Sequence, residues 1–220
     1  MEEPLSNPYP TIQFFNEFAE VGSLQNRLPH WRQDHATYFI TFRLNDSLPA
    51  HLLAEWRAER EQWLQSHPPP WTSSIEMDYH KRFSKQIDQW MDAGHGSCLL
   101  AQPEHAEQVA TCLHHDDGSK YLIHSQVIMP NHVHVLMSPA PGESLSRIVA
   151  SWKRFSATRI NKAREAPGAL WQKDYFDRLI RDWQHFSNVA RYIRSNPEKA
   201  KLTSAHYTLY EAPWIQRLLS

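Results

Sequence analysis

Two histidines stand one residue apart in the segment Val127-Ile128-Met129-Pro130-Asn131-His132-Val133-His134-Val135-Leu136. Side chains alternate on a strand, so His132 and His134 would share one face, with Val133 and Val135 on the other. Imidazole nitrogen binds a metal such as zinc at about 2.0–2.1 Å, a reach that neighbouring same-face residues meet without strain. The chain holds 14 histidines, so a chance His-x-His is expected and the spacing alone is only permissive. Context favours a metal: the pair opens a strand directly after Met-Pro-Asn, among apolar residues that could exclude competing ligands.

A second candidate lies further along. Trp183, Phe186, Val189, Ala190 and Ile193 recur at three and four and define the buried stripe of a helix. At 100° per residue, Tyr192 falls about 120° from the middle of that stripe, grouped with His185, Asn188 and Asn196 on the polar face. A core tyrosine belongs on the stripe; off it, the phenol is either an idle surface group or a reactive one. Asn196 follows one turn later and precedes Pro197, which predicts that the helix ends there. Its amide either caps the helix or completes a metal shell begun by the histidines.

The elements that must position these groups can be read in order. Residues 1–28, with Pro4, Pro8 and Pro10, suggest an irregular N-terminal arm. Residues 36–44 are β-branched and aromatic and read as a strand. Helical spacing follows from Leu48 to His67, ended by Pro68-Pro69-Pro70, and a second amphipathic stretch spans 77–91. These two helices form an insertion over 48–95. A short helix over 103–115 leads to the Asp116-Asp117-Gly118 turn, then to two strands over 120–129 and 132–138 joined at Pro130-Asn131. A long helix from Leu145 ends before Pro167-Gly168, a strand covers 175–180, and Asp182 caps the last helix. Without the insertion, the order is the β-α-β-β-α-β of an α+β, ferredoxin-like antiparallel sheet, with an extra C-terminal helix that carries Tyr192.

Composition narrows the function classes. A content of 41% hydrophobic residues predicts a folded chain. No apolar run is long enough for a membrane span and the N-terminus lacks the order of a secretory signal, so a cytoplasmic protein is expected. Cys98 and Cys112 follow no metal-binding pattern and are expected to be reduced thiols. The net charge of −1 conceals a division: residues 147–201 hold thirteen Lys or Arg against five Asp or Glu, 13 − 5 = +8, leaving −1 − 8 = −9 for the remainder. The basic third suits a phosphate-binding face, with Lys153, Arg154, Arg159 and Lys162 on the long helix and Arg178 and Arg181 near the next. Trp31, Trp152 and Trp171 could stack on unpaired bases, although packing suits Trp152 better.

Taken with Leu170-Trp171-Gln172-Lys173-Asp174-Tyr175-Phe176-Asp177-Arg178 and Ala190-Arg191-Tyr192-Ile193-Arg194-Ser195-Asn196-Pro197, the histidine segment resembles the REP-associated tyrosine transposases, a branch of the single-tyrosine HUH endonucleases in the IS200-like superfamily. Pro29-His30-Trp31-Arg32 and Tyr38-Phe39-Ile40-Thr41-Phe42-Arg43 also resemble that family, so the likeness covers residues 29–202 as one domain and leaves 203–220 as a tail.

The resemblance implies that His132 and His134 are the HUH pair, that Tyr192 is the nucleophile, and that Asn196 gives the third contact to a divalent metal, Mg²⁺ or Mn²⁺. It implies cutting and rejoining of single-stranded DNA at hairpin-forming palindromic repeats through a 5′-phosphotyrosine, without ATP, by a monomer acting in cis or by a dimer. Tyr175 and Tyr207 compete for the nucleophile's role but lack the following Asn-Pro. Arg32 and the basic third would hold the DNA, and the 48–95 insertion would adjust which repeat is read. Two other readings stand beside this one: a silent nucleic-acid-binding regulator on the same fold, and a histidine-triad nucleotide hydrolase, which Leu136 at the third histidine position counts against.

Overall fold

The computed structural model describes residues 12–16, 22–25, 29–33, 35–68 and 71–219. Its centre is a five-stranded antiparallel sheet with the order β6-β3-β5-β4-β7. The strands are β3 (Tyr38–Arg43), β4 (Tyr121–Ile128), β5 (His132–Pro139), β6 (Phe176–Leu179) and β7 (Thr208–Glu211). The inner four, β6-β3-β5-β4, have the split βαβ order of a ferredoxin-like sheet, as expected from the element order.

Strand alternation divides the sheet into two chemically distinct faces. Tyr38, Ile40 and Phe42 of β3 and Val133, Val135 and Met137 of β5 face a core closed by α4 (Pro103–His114) and α5 (Leu145–Ala163). The opposite face carries Phe39, Thr41, His134 and Leu136, and is covered by α6 (Trp183–Lys199) through Phe186, Val189, Ala190 and Ile193. In β4 the register shifts between Ile123 and Ser125, after which Val127 sits opposite His134. That bulge returns Val127 to the α6 face.

The insertion builds its own small core. α1 (Ala50–Ser66), α2 (Ser73–Tyr79) and α3 (Lys85–Asp92) bury Trp56, Trp63, Tyr79, Phe83, Ile87 and Met91 against one another. The second stretch is not the single helix over 77–91 that periodicity predicts: it starts at Ser73 and is widened by a π-helical turn at His80–Ser84. Across that turn Phe83 packs beside Tyr79, with ring centroids 5.3 Å apart. The arm rejoins the sheet through Gly96, whose φ is +85° and whose missing Cβ leaves room for the Asp46 carbonyl. Ser97 N–H then donates to Asp46 Oδ2 at 2.8 Å.

Three further expectations are corrected. The irregular N-terminal arm contains β1 (Gly22–Gln25), paired antiparallel with β2 (Pro29–Arg32). The segment set apart as a tail supplies β7, on the outer edge of β4, and α7 (Pro213–Leu218), whose Ile215 is fully buried. And α6 does not stop before Pro197 but runs to Lys199. Pro197 has no N–H to give the Ile193 carbonyl, but the helix continues past it, with the Asn196 and Pro197 carbonyls accepting from Ala200 and Leu202 N–H groups. Asn196 is therefore inside the helix and not its cap. The predicted N-cap holds, with Asp182 Oδ1 accepting from His185 N–H at 2.7 Å.

Candidate metal and nucleophile site

His132 and His134 point from β5 towards α6 and are almost wholly buried, at 1% and 0% exposure. Their Nε2 atoms are 3.1 Å apart. Two nitrogens on one metal at about 2.0–2.1 Å, subtending roughly 90–110°, lie about 2.9–3.4 Å apart. The pair therefore has the separation that shared coordination needs. Each ring is held by its other nitrogen: His132 Nδ1 lies 2.8 Å from Asn131 Oδ1, and His134 Nδ1 lies 2.7 Å from Thr41 Oγ1.

Asn131 settles the His132 tautomer. Its Nδ2 donates to the Met91 and His95 carbonyls at 3.1 and 3.0 Å, so Oδ1 must be the atom facing the ring. His132 Nδ1 then carries the proton and Nε2 presents its lone pair. Burial, followed by the Arg43 charge, pushes the His132 pKa down to about 3, and burial with His132 nearby holds His134 well below its ordinary value. Both rings are thus neutral, the form in which imidazole binds a metal.

Tyr192 and Asn196 approach from α6. Tyr192 Oη is 3.4 Å from His134 Nε2, and its ring meets Phe39 edge-on at 5.9 Å, while Phe39 stacks on His134 at 5.3 Å. Asn196 is fully buried, and among the described residues neither Oδ1 nor Nδ2 has a partner of good hydrogen-bond geometry, although the amide is near enough to Tyr192 to favour the phenolate. A buried amide left unpaired costs about 1–3 kcal/mol. A polar group or ion bound beside the amide would remove that cost. Among the described residues, no three His, Cys, Asp or Glu side chains converge as a metal site, so a third protein ligand would have to be of another type. An amide answers that requirement.

The polar face of α6 is covered, which sequence periodicity does not reveal. Helix α3 brings the Asp88 and Asp92 carboxyl groups near enough to Tyr192 to act on its charge. Burial, then the neighbouring Asp92, pushes Asp88 up to about 7; burial also raises Asp92 to about 6, partly offset by Lys199. Desolvation and the two carboxyl groups raise the Tyr192 pKa well above its ordinary value, so the phenol is neutral. Lys199 Nζ lies 5.1 Å from the Tyr192 ring centroid. Thr41, Asn131, Asp88 and Asp92 were not singled out from sequence. Only Asn131, next to His132, carried a local signal.

The predicted DNA contacts divide. Arg178 is the register partner of Phe39, on the site face, and its Nε is buried without a hydrogen-bond partner among the described residues. Arg154, Arg159 and Lys162 are exposed on α5, which covers the opposite side of the sheet. Lys153 Nζ donates to the Gln172 and Lys173 carbonyls at 2.6 and 2.7 Å, and burial lowers its pKa to about 8. Arg181 is half-buried at the entry to α6, and the Arg32 side chain lies outside the described residues, as does that of Trp31. Trp152 and Trp171 are core residues at 3% and 6% exposure, unavailable for stacking on bases. Tyr175 is buried in the core on the far face, and Tyr207 packs beside α6. Sequence reading missed a cleft of about 420 Å³ between the arm and the sheet, lined by Thr41, Arg43, Trp56, Arg57 and Gln172. Thr41 links it directly to His134.

Residues 102–196, from the residue before α4 to Asn196, match the family model of the IS200-like transposases. The likeness to that family read from the sequence is borne out over this segment, which includes His132, His134 and Tyr192 and leaves out the inserted arm. Two solved structures are similar in part. A REP-associated tyrosine transposase bound to a REP hairpin has 13% identity over 81% of this chain and 76% of its own, with a TM-score of 0.46. A Deinococcus radiodurans R1 protein described as a transposase has 15% identity over 75% of this chain and 93% of its own, with a TM-score of 0.30. No curated protein matches.

Proposed function

We propose that this chain is a metal-dependent single-stranded DNA endonuclease and strand transferase of the REP-associated tyrosine kind, acting in the cytoplasm on hairpin-forming repeats. One observation carries the reading: the hydroxyl of half-buried Tyr192 stands 3.4 Å from one of two neutral, converging imidazoles, with a buried amide that has no hydrogen-bond partner among the described residues one helical turn away. His132, His134 and Asn196 would hold Mg²⁺ or Mn²⁺. Such an ion supplies Lewis-acid polarisation of the scissile phosphate and sets it in line for attack.

The chain's own groups supply the rest. Thr41 and Asn131 orient the imidazoles, as outer-shell partners of metal ligands do. Tyr192 attacks phosphorus, leaving a 5′-phosphotyrosine and a free 3′-OH that retains the bond energy for rejoining. Arg178 offers an unpaired guanidinium nitrogen to the phosphate, and the arginine-lined cleft beside Thr41 is of a size to take an adjoining nucleotide.

The test is incubation of a labelled hairpin oligonucleotide bearing single-stranded flanks with the protein and Mg²⁺ or Mn²⁺, followed by denaturing electrophoresis. A covalent protein–DNA band and a released 3′-OH fragment are expected. Binding without any such band would support the silent regulator instead. Asn131→Ala is expected to weaken Mn²⁺ binding by about 10–100-fold in calorimetry, because His132 loses the acceptor that fixes its tautomer. Unchanged affinity would remove Asn131 from the metal's support.

A further inference from the structure

The cleft of about 420 Å³ has two walls of different origin. The near wall is the site face of the sheet. In the register of β3 against β5, Arg43 is the partner of His132 and Thr41 of His134. Partners in antiparallel strands share a face, with Cβ atoms about 4.5–5.5 Å apart, so the cleft opens directly beside the imidazoles. The far wall is α1 of the inserted arm, which supplies Trp56, Arg57 and Arg60.

Arg43 is the unusual member of this lining. It is 7% exposed, and among the described residues its guanidinium makes one hydrogen bond, from Nη1 to Ser47 Oγ at 3.0 Å. Ser47 gives its own proton to the Leu44 carbonyl at 2.8 Å, so towards Arg43 it can only accept. A guanidinium carries five N–H donors, and burying one with so few partners is costly unless an anion meets it. None of the Arg43 nitrogens is sealed from solvent without a partner, so its remaining donors border the open space of the cleft. Arg60, by contrast, is engaged through Nε by the Tyr79 hydroxyl at 2.6 Å. Glu61 and Asp174 also line the cleft, which leaves three guanidinium groups against two carboxylates. Trp56 and Phe176 meet edge-on at 6.2 Å and give it an apolar flank.

We propose that Arg43 binds the DNA phosphate next to the scissile one, and that the inserted arm walls the seat of the unpaired nucleotide between them. The proposal rests on the single-stranded DNA reading and deepens it. With the scissile phosphate at His132 and His134, a strand that continues across β3 meets Arg43 next. A phosphate offers the paired oxygens that a guanidinium fork binds best. The base of that nucleotide packs on Trp56 and Phe176, as unpaired bases do on aromatic side chains. Arg154, Arg159 and Lys162 lie on α5, across the sheet from the site, so this contact falls to a strand residue that the charge distribution does not single out.

The experiment measures equilibrium binding of the labelled hairpin with single-stranded flanks by fluorescence anisotropy, with EDTA present so that the strand stays whole. Each flank phosphate is replaced singly by an uncharged methylphosphonate. For the wild type, one position beside the cut that Mn²⁺ produces should weaken binding by about 10–100-fold, the effect of one charge-assisted contact. Arg43→Gln should bind unmodified DNA about 10–100-fold more weakly and lose nothing further at that position. Its slope of log affinity against log salt should fall by about 0.7, one phosphate on a single strand. A wild type indifferent to every flank substitution, or an Arg43→Gln protein that keeps full affinity or stays sensitive at the same phosphate, overturns the proposal. Where Arg43→Gln does not fold by circular dichroism, Arg57→Glu, at an exposed position in the same cleft, carries the test. It should weaken binding less when the sensitive phosphate is uncharged, and equal weakening at every phosphate overturns the proposal. A wild type that binds no hairpin would instead sink the DNA reading, and one that binds but never cuts would sink the endonuclease reading while Arg43 is still judged by binding.

Discussion

Tyr192→Phe is expected to abolish the covalent protein–DNA band, with cleavage falling by about 10⁴-fold or more to background, because the attacking oxygen is removed. The substitution is conservative in shape. The ring keeps its edge contact with Phe39, its place beside His134 and the Lys199 ammonium over its face. Hairpin affinity should therefore persist, as a gel-shift would report. What is lost is Oη, with its approach to His134 Nε2. A band that survives in Tyr192→Phe would place the nucleophile elsewhere. Tyr175 is a poor substitute, since it lies in the core on the opposite face of the sheet.

His134→Ala, or EDTA added to the wild type, is expected to lower cleavage by about a thousandfold or more, the effect of several kcal/mol of lost phosphate polarisation. His134 is chosen because it touches four neighbours at once: His132 through Nε2, Thr41 through Nδ1, Tyr192 through its hydroxyl and Phe39 through its ring face. Titration with Mn²⁺ should register weakened binding in the variant. Cleavage indifferent to EDTA would overturn the metal role of both histidines, and of Asn196 with them. The two substitutions separate in one respect. Tyr192→Phe should leave Mn²⁺ affinity intact, whereas His134→Ala should not.

Much of this architecture was legible because its signals are local. Alternation put His132 and His134 on one face, the Pro130-Asn131 joint gave the hairpin, and the spacing of Phe186, Val189, Ala190 and Ile193 gave the buried side of α6. The same periodicity misplaced Trp183, which is 52% exposed and meets Phe14 edge-on instead of filling the stripe. It also left Tyr192 facing solvent. Periodicity reports which side of a helix is apolar, not what covers the polar side, and here a distant helix covers it with carboxylates. Asp88 stands in an ordinary charged stretch, and only the docking of α3 brings its carboxyl near Tyr192. β7 was hidden for a related reason: all four of its residues are half-buried, so it has no alternation to read, and its pairing with β4 is what makes it a strand.

Tyr192 and Asn196 occupy successive turns of one unbroken helix. Were Asn196 a cap on a frayed end, as its position before Pro197 suggested, the two side chains could travel separately. Inside a continuous helix they form a single lever. On the proposed reading, any swing of α6 that carries a severed strand away from the imidazoles also withdraws the amide from the ion. Nucleophile and proposed ligand would then engage and disengage together, because one rigid helix carries both.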